Sequence, residues 1–429
     1  MPIVSTLHGI LLSVLPVFTE PTGQVFLRLV AGWVLCPTRR TVTGMILFAD
    51  PDGLRSHDTY HRFFRSAAWC LRQLFRAWAV VLVNALCPEG TLWLVTDDTV
   101  HQKTGRKVAG AAWCRDAVRS TGQRIVYVWG LKIVPVCLRV VPPLGGEPLA
   151  LPIAFRVYRK GGPTLLDLVD EMLTELSAAF PDRSLVLTAD GFYAPLAGRR
   201  PDRTHLISRM RCDAALYTMP PPRRPGQRGR PRKKGKRLPS PAAMAAHART
   251  WKPVETIERG RKRTRLVYTR RVLWYHVQPD RPVLLVISRD PDGKEKDDFF
   301  FTTDLDMDPA TVISEFAGRW SIEDTFRNTK QFLGGEHPQC WRTPGPERAA
   351  GFAYFLYGVV WLWHIRHGHA ATPLLVTPWY PHKTTPSFKD ALAALRKALW
   401  RERFFHTVGR RAQLSQFQTV LIDALARAA

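Results

Sequence analysis

The stretch FAGRWSIEDTFRNTK, residues 316–330, sets Phe316, Arg319, Glu323 and Lys330 at offsets 0, 3, 7 and 14. At about 100° per helical residue these offsets fall within roughly a 60° arc, so the spacing predicts one helix with an acid flanked by two bases on a single stripe. Two further acids close earlier strand-like runs: Asp97 after TLWLVT and Asp190 after SLVLTA. Three carboxylates of this kind suit hard divalent cations, and bases on the same helix face suit a phosphodiester. The pattern points to metal-dependent chemistry on DNA.

Outward from these acids the apolar period changes twice. Residues 1–88 carry helical spacing through Leu7–Phe18, Val25–Val34 and Tyr60–Val83 and read as a helical region with a DNA-binding role or simple helical packing as its alternatives. From residue 91 the pattern is strand-like. Leu92–Val95 ends in Asp97-Asp98, a Gly- and Lys-rich loop follows, and Arg124–Trp129 and Lys132–Val141 are parted by Gly130-Leu131 as in a hairpin. TLLDLVDEMLTELSAAF (164–180) is a helix stopped by Pro181, followed by short strands at Ser184–Thr188 and Thr204–Ser208. Strands, helix, strand, strand and a late helix are the order of an RNase H-like α/β domain.

Between Asp190 and Glu323 lie 132 residues, too many for one loop. This span opens with PPPRRPGQRGRPRKKGKRLPSP, in which residues 223–237 hold nine bases and no acid. Arg230, Arg232, Lys233 and Lys234 of this run read as a sequence-independent DNA clamp or as a solvated linker. Arg265–Val277, Pro282–Ser288 and Asp298–Thr303 read as paired strands of a β-rich insertion. The expected organisation is therefore a helical region over 1–88, a first catalytic part over 89–210, the basic linker and insertion over 211–303, a second catalytic part with the glutamate helix over 304–370, and a helical region over 371–429.

Bulk composition agrees. The 429 residues are 45% apolar, and 62 Lys and Arg against 36 Asp and Glu give a net charge of +26. Such an excess repels itself unless a polyanion neutralises it, which favours nucleic acid as partner. The other source of such a balance is a high-GC genome rich in Arg. The seven cysteines form no CxxC pair or even framework, as expected in a reducing cytoplasm. The longest apolar runs, Ala77–Cys87 and Phe352–Trp363, are too short to span a bilayer and read as buried helices.

Phe316-x2-Arg319-x3-Glu323-x6-Lys330 resembles the Tyr-x2-Arg-x3-Glu-x6-Lys signature of the cut-and-paste DDE transposases of bacterial insertion sequences. VTDDTVHQKTGRKVAG is similar to that family's first-aspartate block and LTADGFYAPL to its second, so the resemblance covers roughly residues 90–335. It implies an RNase H-type fold, Asp97, Asp190 and Glu323 as ligands of Mg²⁺ (or Mn²⁺), and Arg319 and Lys330 on phosphates beside the scissile bond. It further implies cleavage of transposon ends, attack of the freed 3′-hydroxyl on target DNA, and a homodimer on double-stranded DNA in the bacterial cytoplasm, at the nucleoid and not on a membrane. Phe316 departs from the signature and lacks the tyrosine hydroxyl. Asp98 replaces Asp97 as first ligand if the strand phase shifts by one. Trp320 reads as a base-stacking surface or a core residue, and Lys103 as a phosphate contact or a solvated charge. The alternatives to a transposase are another RNase H-like nuclease of resolvase type and a non-catalytic DNA-binding derivative.

Overall fold

Two nearly unbroken apolar runs, LWLVT and LVLTA, form neighbouring parallel strands because both of their faces are covered. They belong to a computed structural model that describes residues 4–116, 119–222, 229–371, 374, 376–408 and 415–427. The chain opens with helices α1 (Ser5–Leu12), α2 (Glu20–Leu35), α3 (Val42–Ala49), α4 (His57–Arg65) and α5 (Leu71–Leu86). Strands β1 (Leu92–Thr96), β2 (Thr99–Gln102), β3 (Ala112–Arg115), β4 (Tyr127–Val140) and β5 (Leu149–Tyr158) precede α6 (Leu165–Ala179), β6 (Leu185–Ala189) and β7 (Thr204–Arg209). After α7 (Pro241–His247) come β8 (Lys252–Glu258), β9 (Arg261–Val272), β10 (Val283–Arg289) and β11 (Asp298–Thr302). The last helices are α8 (Pro309–Gly318), α9 (Ser321–Gln331), α10 (Gly345–Trp363), α11 (His369–Ala371), α12 (Phe388–Val408) and α13 (Gln416–Arg427).

These elements pack as two compact units. One comprises Met1–Pro88, Asp98–Pro163 and Glu323–Ala429, and the other Glu89–Asp97 and Thr164–Ile322.

The second unit is built on a mixed sheet in the order β1-β6-β7-β11-β10-β9-β8. β1, β6 and β7 are parallel, and the remaining pairs are antiparallel. The strands of the expected insertion thus extend the sheet that begins with β1. Helix α6 starts with a reciprocal capping box between Thr164 and Asp167. Helix α8 lays Val312 and Ile313 against Val186, Ile207, Val267, Val286 and Phe300, which forms the core of this unit. At the far edge, Arg265 makes two 2.7 Å bonds to Glu258 across the β8–β9 hairpin and one to Glu295 from the loop after β10, so the shielded guanidinium is fully compensated. The result is the mixed α/β architecture expected from the sequence.

In the first unit α10 is buried along almost its whole length, as an all-round apolar helix must be. Phe352 lies at its centre with Phe26, Trp33, Phe63 and Phe64 around it, their ring centroids 5.5–5.8 Å away. Trp33 donates to the Leu333 carbonyl at 2.7 Å and Trp69 to the Phe63 carbonyl at 2.7 Å, so the indoles enter the core with their N–H groups satisfied. Among the described residues no helix is long and apolar enough to cross a membrane.

One expectation fails here. Residues 127–140 are a single 14-residue strand, not a hairpin turning at Gly130-Leu131. Gly130 is required for close approach: a Cβ there would overlap the His101 carbonyl oxygen and come within 2.8 Å of Val100 Cγ1 on paired strand β2. Gly130→Ala should therefore force β2 away from β4 and lower stability by about 2–3 kcal/mol, as read by denaturant unfolding. An unfolding midpoint equal to wild type would refute this account of the glycine.

Candidate active site

The register of β1 on β6 pairs Leu92 with Leu185 and Val95 with Thr188. Continued by two residues, it brings Asp97 level with Asp190. Both aspartates therefore leave the sheet together at the carboxyl ends of adjacent parallel strands, the place where open α/β sheets bind ligands. Asp190 caps the short 3₁₀ helix that follows, accepting from the Phe192 amide at 3.0 Å, and Ser208 donates to its carbonyl at 2.7 Å. Asp97 accepts a 2.6 Å hydrogen bond from Arg319 Nη1, and the two side chains are only 18% and 14% exposed. An ion pair so shielded from water is strengthened by the low local dielectric.

Arg319 reaches Asp97 from the end of α8. The single helix expected over 316–330 is interrupted at Arg319 and Trp320. The Arg319 amide is shared between Glu315 and Phe316 carbonyls, Trp320 N–H turns to Ala317 at 3.4 Å, and Ile322 bonds back to Arg319 at 3.1 Å. This tightening after Gly318 ends α8, and α9 starts afresh at Ser321. Phe316 and Arg319 thus belong to one helix end, whereas Glu323 and Lys330 stay two turns apart on the next. Glu323, in the first turn of α9, opens the last segment of the first unit.

The ring of Phe316 supports two guanidinium groups, Arg319 at 5.6 Å and Arg209 at 5.7 Å, and packs on Phe300 at 4.8 Å. Its face, not a hydroxyl, positions Arg319. Arg209 had no sequence signal, because it is brought to Phe316 by the pairing of β7 with β11. Trp320 is 49% exposed with the Arg259 guanidinium 5.1 Å from its ring, so the core reading of this residue is overturned.

In the first unit Lys330 donates to Thr99 Oγ1 at 2.7 Å; burial lowers its pKa, while Glu336 and Glu323 act in the opposite direction. Asp98 forms a 2.9 Å ion pair with Lys132. Lys103 is half-buried, and its head is engaged by main-chain carbonyls. Its Nζ donates to the carbonyls of Glu336 and Pro338 at 2.8 and 3.2 Å. Of the basic run, Arg223–Arg228 lie outside the described residues, while Arg230, Arg232 and Lys233 are exposed and irregular. Lys234 sits 4.4 Å above the Tyr217 ring and 5.3 Å from that of Tyr275.

The two strand-end carboxylates supply the hard oxygen donors that Mg²⁺ or Mn²⁺ takes. Among the described residues, however, no three His, Cys, Asp or Glu side chains stand close enough together to hold a metal ion. The donor chemistry fits such a cation, and the arranged part of the site is Asp97, Asp190 and Arg319.

Burial holds the Lys103 pKa at about 8, against 10.5 for a solvated lysine, despite the nearby Glu336. Between these values the unfolded chain carries more protons than the folded one, so this residue makes stability rise with pH over that window. The stability difference between wild type and Lys103→Met should therefore grow in favour of wild type from pH 8 to 10.5 in parallel denaturant titrations. A pH-independent difference would contradict the shifted pKa.

Comparison with known proteins bears on the same elements. The DDE superfamily endonuclease family matches residues 13–278, a stretch that carries Asp97 and Asp190 and ends before Phe316. The chain is also similar to piggyBac transposase, seen in a cryo-EM structure of its synaptic complex with hairpin DNA. That similarity has a TM-score of 0.42 and 10% sequence identity, over 95% of this chain and 76% of the other. Among curated proteins there is no match. With well over half of its length matched, the chain belongs to the DDE superfamily endonucleases.

Proposed function

We propose that the protein is a DNA transposase of RNase H type that cleaves the ends of its element and joins the freed 3′-hydroxyl to target DNA. The observation that carries this reading is the register of β1 on β6, which sets Asp97 and Asp190 side by side at the carboxyl edge of a parallel sheet. Family membership makes phosphodiester cleavage the chemistry expected of such a pair. Glu323, four residues beyond the Arg319 that reaches Asp97, is the third acid in this reading.

Asp97, Asp190 and Glu323 would hold Mg²⁺ or Mn²⁺, which when bound supplies Lewis acidity to the phosphoryl oxygens and to the attacking and leaving oxygens. Arg319 balances the charge of Asp97 and, on its Phe316 platform, is placed to turn toward a phosphate. Lys330 supplies a second fixed positive charge. Exposed Trp320 offers an aromatic face to an unstacked base. Arg230, Arg232, Lys233 and Lys234 contribute sequence-independent attraction to the DNA backbone. Two element ends require two copies of the site, so the acting species is a homodimer on double-stranded DNA, working at the bacterial nucleoid.

The test uses the full-length chain and a supercoiled plasmid bearing the DNA that flanks its reading frame. Asp97→Asn, Asp190→Asn and Glu323→Gln should each reduce Mg²⁺-dependent strand cleavage by about 10³-fold or more. DNA affinity by fluorescence anisotropy should stay within about twofold of wild type, since carboxylates do not grip the backbone. Chelation should abolish cleavage, with Mg²⁺ or Mn²⁺ restoring it. Undiminished nicking by both aspartate variants would remove the nuclease reading, whereas undiminished nicking by Glu323→Gln alone would remove only that residue.

A further inference from the structure

The opposite end of the same parallel strands carries a cleft that the nuclease chemistry does not use. Two Pro-Asp-Arg turns face one another across it: Pro201-Asp202-Arg203, which leads into β7, and Pro279-Asp280-Arg281, which leads into β10. With Arg200, Thr204, His205 and Gln278 they line a space of about 300 Å³. From Leu185 at the amino end of β6 to Asp190 beyond its carboxyl end is five residues, about 16 Å of extended chain, so this is a separate place on the sheet.

Three features of the cleft call for an anion. Arg200, Arg203 and Arg281 converge on it, and Arg281 lies near enough to Arg200 to help burial lower the latter's pKa. Among the described residues none of the three is held in an ion pair, Arg200 being bonded instead to the Ala197 carbonyl and, at 3.4 Å, to Gln278 Oε1. The wall also holds unspent hydrogen-bonding capacity. Thr204 is 2% exposed, and its Oγ1 has no hydrogen-bond partner; neither has the buried Nδ1 of His205. Buried hydroxyls are almost always satisfied, so an orphan one beside converging guanidinium groups marks a missing acceptor.

We infer that this cleft is a binding site for a phosphate group, gripped by Arg200, Arg203 and Arg281 and accepting a hydrogen bond from Thr204 Oγ1. A tetrahedral dianion matches forked guanidinium donors better than a planar carboxylate does, because it offers an oxygen to each of several converging arginines. Asp202 and Asp280 sit on the same turns and limit the positive charge, which favours a discrete phosphate over diffuse attraction of any polyanion. The phosphate belongs either to the backbone of a DNA segment or to a free phosphorylated ligand. This inference stands on the cleft alone and does not require the nuclease reading.

Inorganic phosphate titrated into the full-length chain should raise its thermal midpoint saturably. Arg281→Ala, at an exposed position, should weaken that response at least tenfold. Thr204→Val removes a hydroxyl with no partner in the fold; it should leave the midpoint without phosphate unchanged or higher while weakening phosphate binding severalfold. A purely structural threonine would give the reverse. In a second arm, competition by phosphate against a fluorescent duplex, with a shallower salt dependence of duplex binding in Arg281→Ala, assigns the phosphate to DNA. Duplex binding insensitive to both assigns it to a free ligand. Absence of a phosphate response in wild type, or equal responses in wild type and both variants, overturns the site.

Discussion

The parallel pairing of β1 with β6 is the constraint on which the catalytic reading rests. Both strands are buried on both faces, so neither has a polar side to set its phase. The Leu92 N–H bond to the Ser184 carbonyl anchors the amino end of β1 beside β6, and the Leu185 N–H bond to the Arg203 carbonyl does the same for β6 beside β7. A slip of one residue would shift one aspartate by about 3.3 Å and turn it to the opposite face. The carboxyl ends of a parallel pair lie on one edge by construction, so two acids placed one residue beyond equally registered strands must be neighbours. Asp97, so shielded, needs a counter-charge, which Arg319 supplies at 2.6 Å.

A chain with 62 bases and 36 acids cannot pair every guanidinium with a carboxylate. In the second unit aromatic faces hold several cations, some of which, Arg319 among them, also pair with an acid. Phe316 lies under Arg209 and Arg319, Trp320 under Arg259, Trp251 under Arg289 at 4.1 Å, and Tyr217 under Lys234. A ring face attracts a cation without neutralising it, so it helps to fix a guanidinium's position whether or not a carboxylate is also bound. This explains how Phe316 keeps a role without a hydroxyl, and why Trp320 lies at the surface although a tryptophan beside an apolar helix face suggests the core.

What the sequence could and could not reveal divides along the range of the interactions. The apolar runs before Asp97 and Asp190, the helix stopped by Pro181, and the acid-base spacing of Glu323 and Lys330 are local patterns, and all are legible. The break at Arg319–Trp320 depends on how the Arg319 amide divides its bond, to which periodicity is blind. Gly130 looks like a turn residue, and only the approach of His101 from another strand explains it. β5 is hidden by Pro152, tolerated where β4 shifts register between Val136 and Cys137. The sequence marks the catalytic part as two separated stretches, but no local pattern marks the unit boundaries at Pro163 and Ile322. Lys103 looks like a loop charge because its carbonyl acceptors lie more than 230 residues away.

The sheet topology accounts for the arginine cleft as it does for the acids. β7 runs parallel to β6, β11 antiparallel to β7, and β10 antiparallel to β11, so β6, β7 and β10 all point one way. The turns entering β7 and β10 must therefore reach the edge opposite the aspartates, although 77 residues lie between Arg203 and Arg281. One direction of strand travel sorts charge to two ends: the chain leaves β1 and β6 through carboxylates and enters β7 and β10 through arginines. Because the ends are joined by strands buried in the core, the distance between them is fixed by strand length, not by loop conformation. Two phosphates engaged together would be held about a strand's length apart, a separation that a single bent DNA segment or two separate molecules must match.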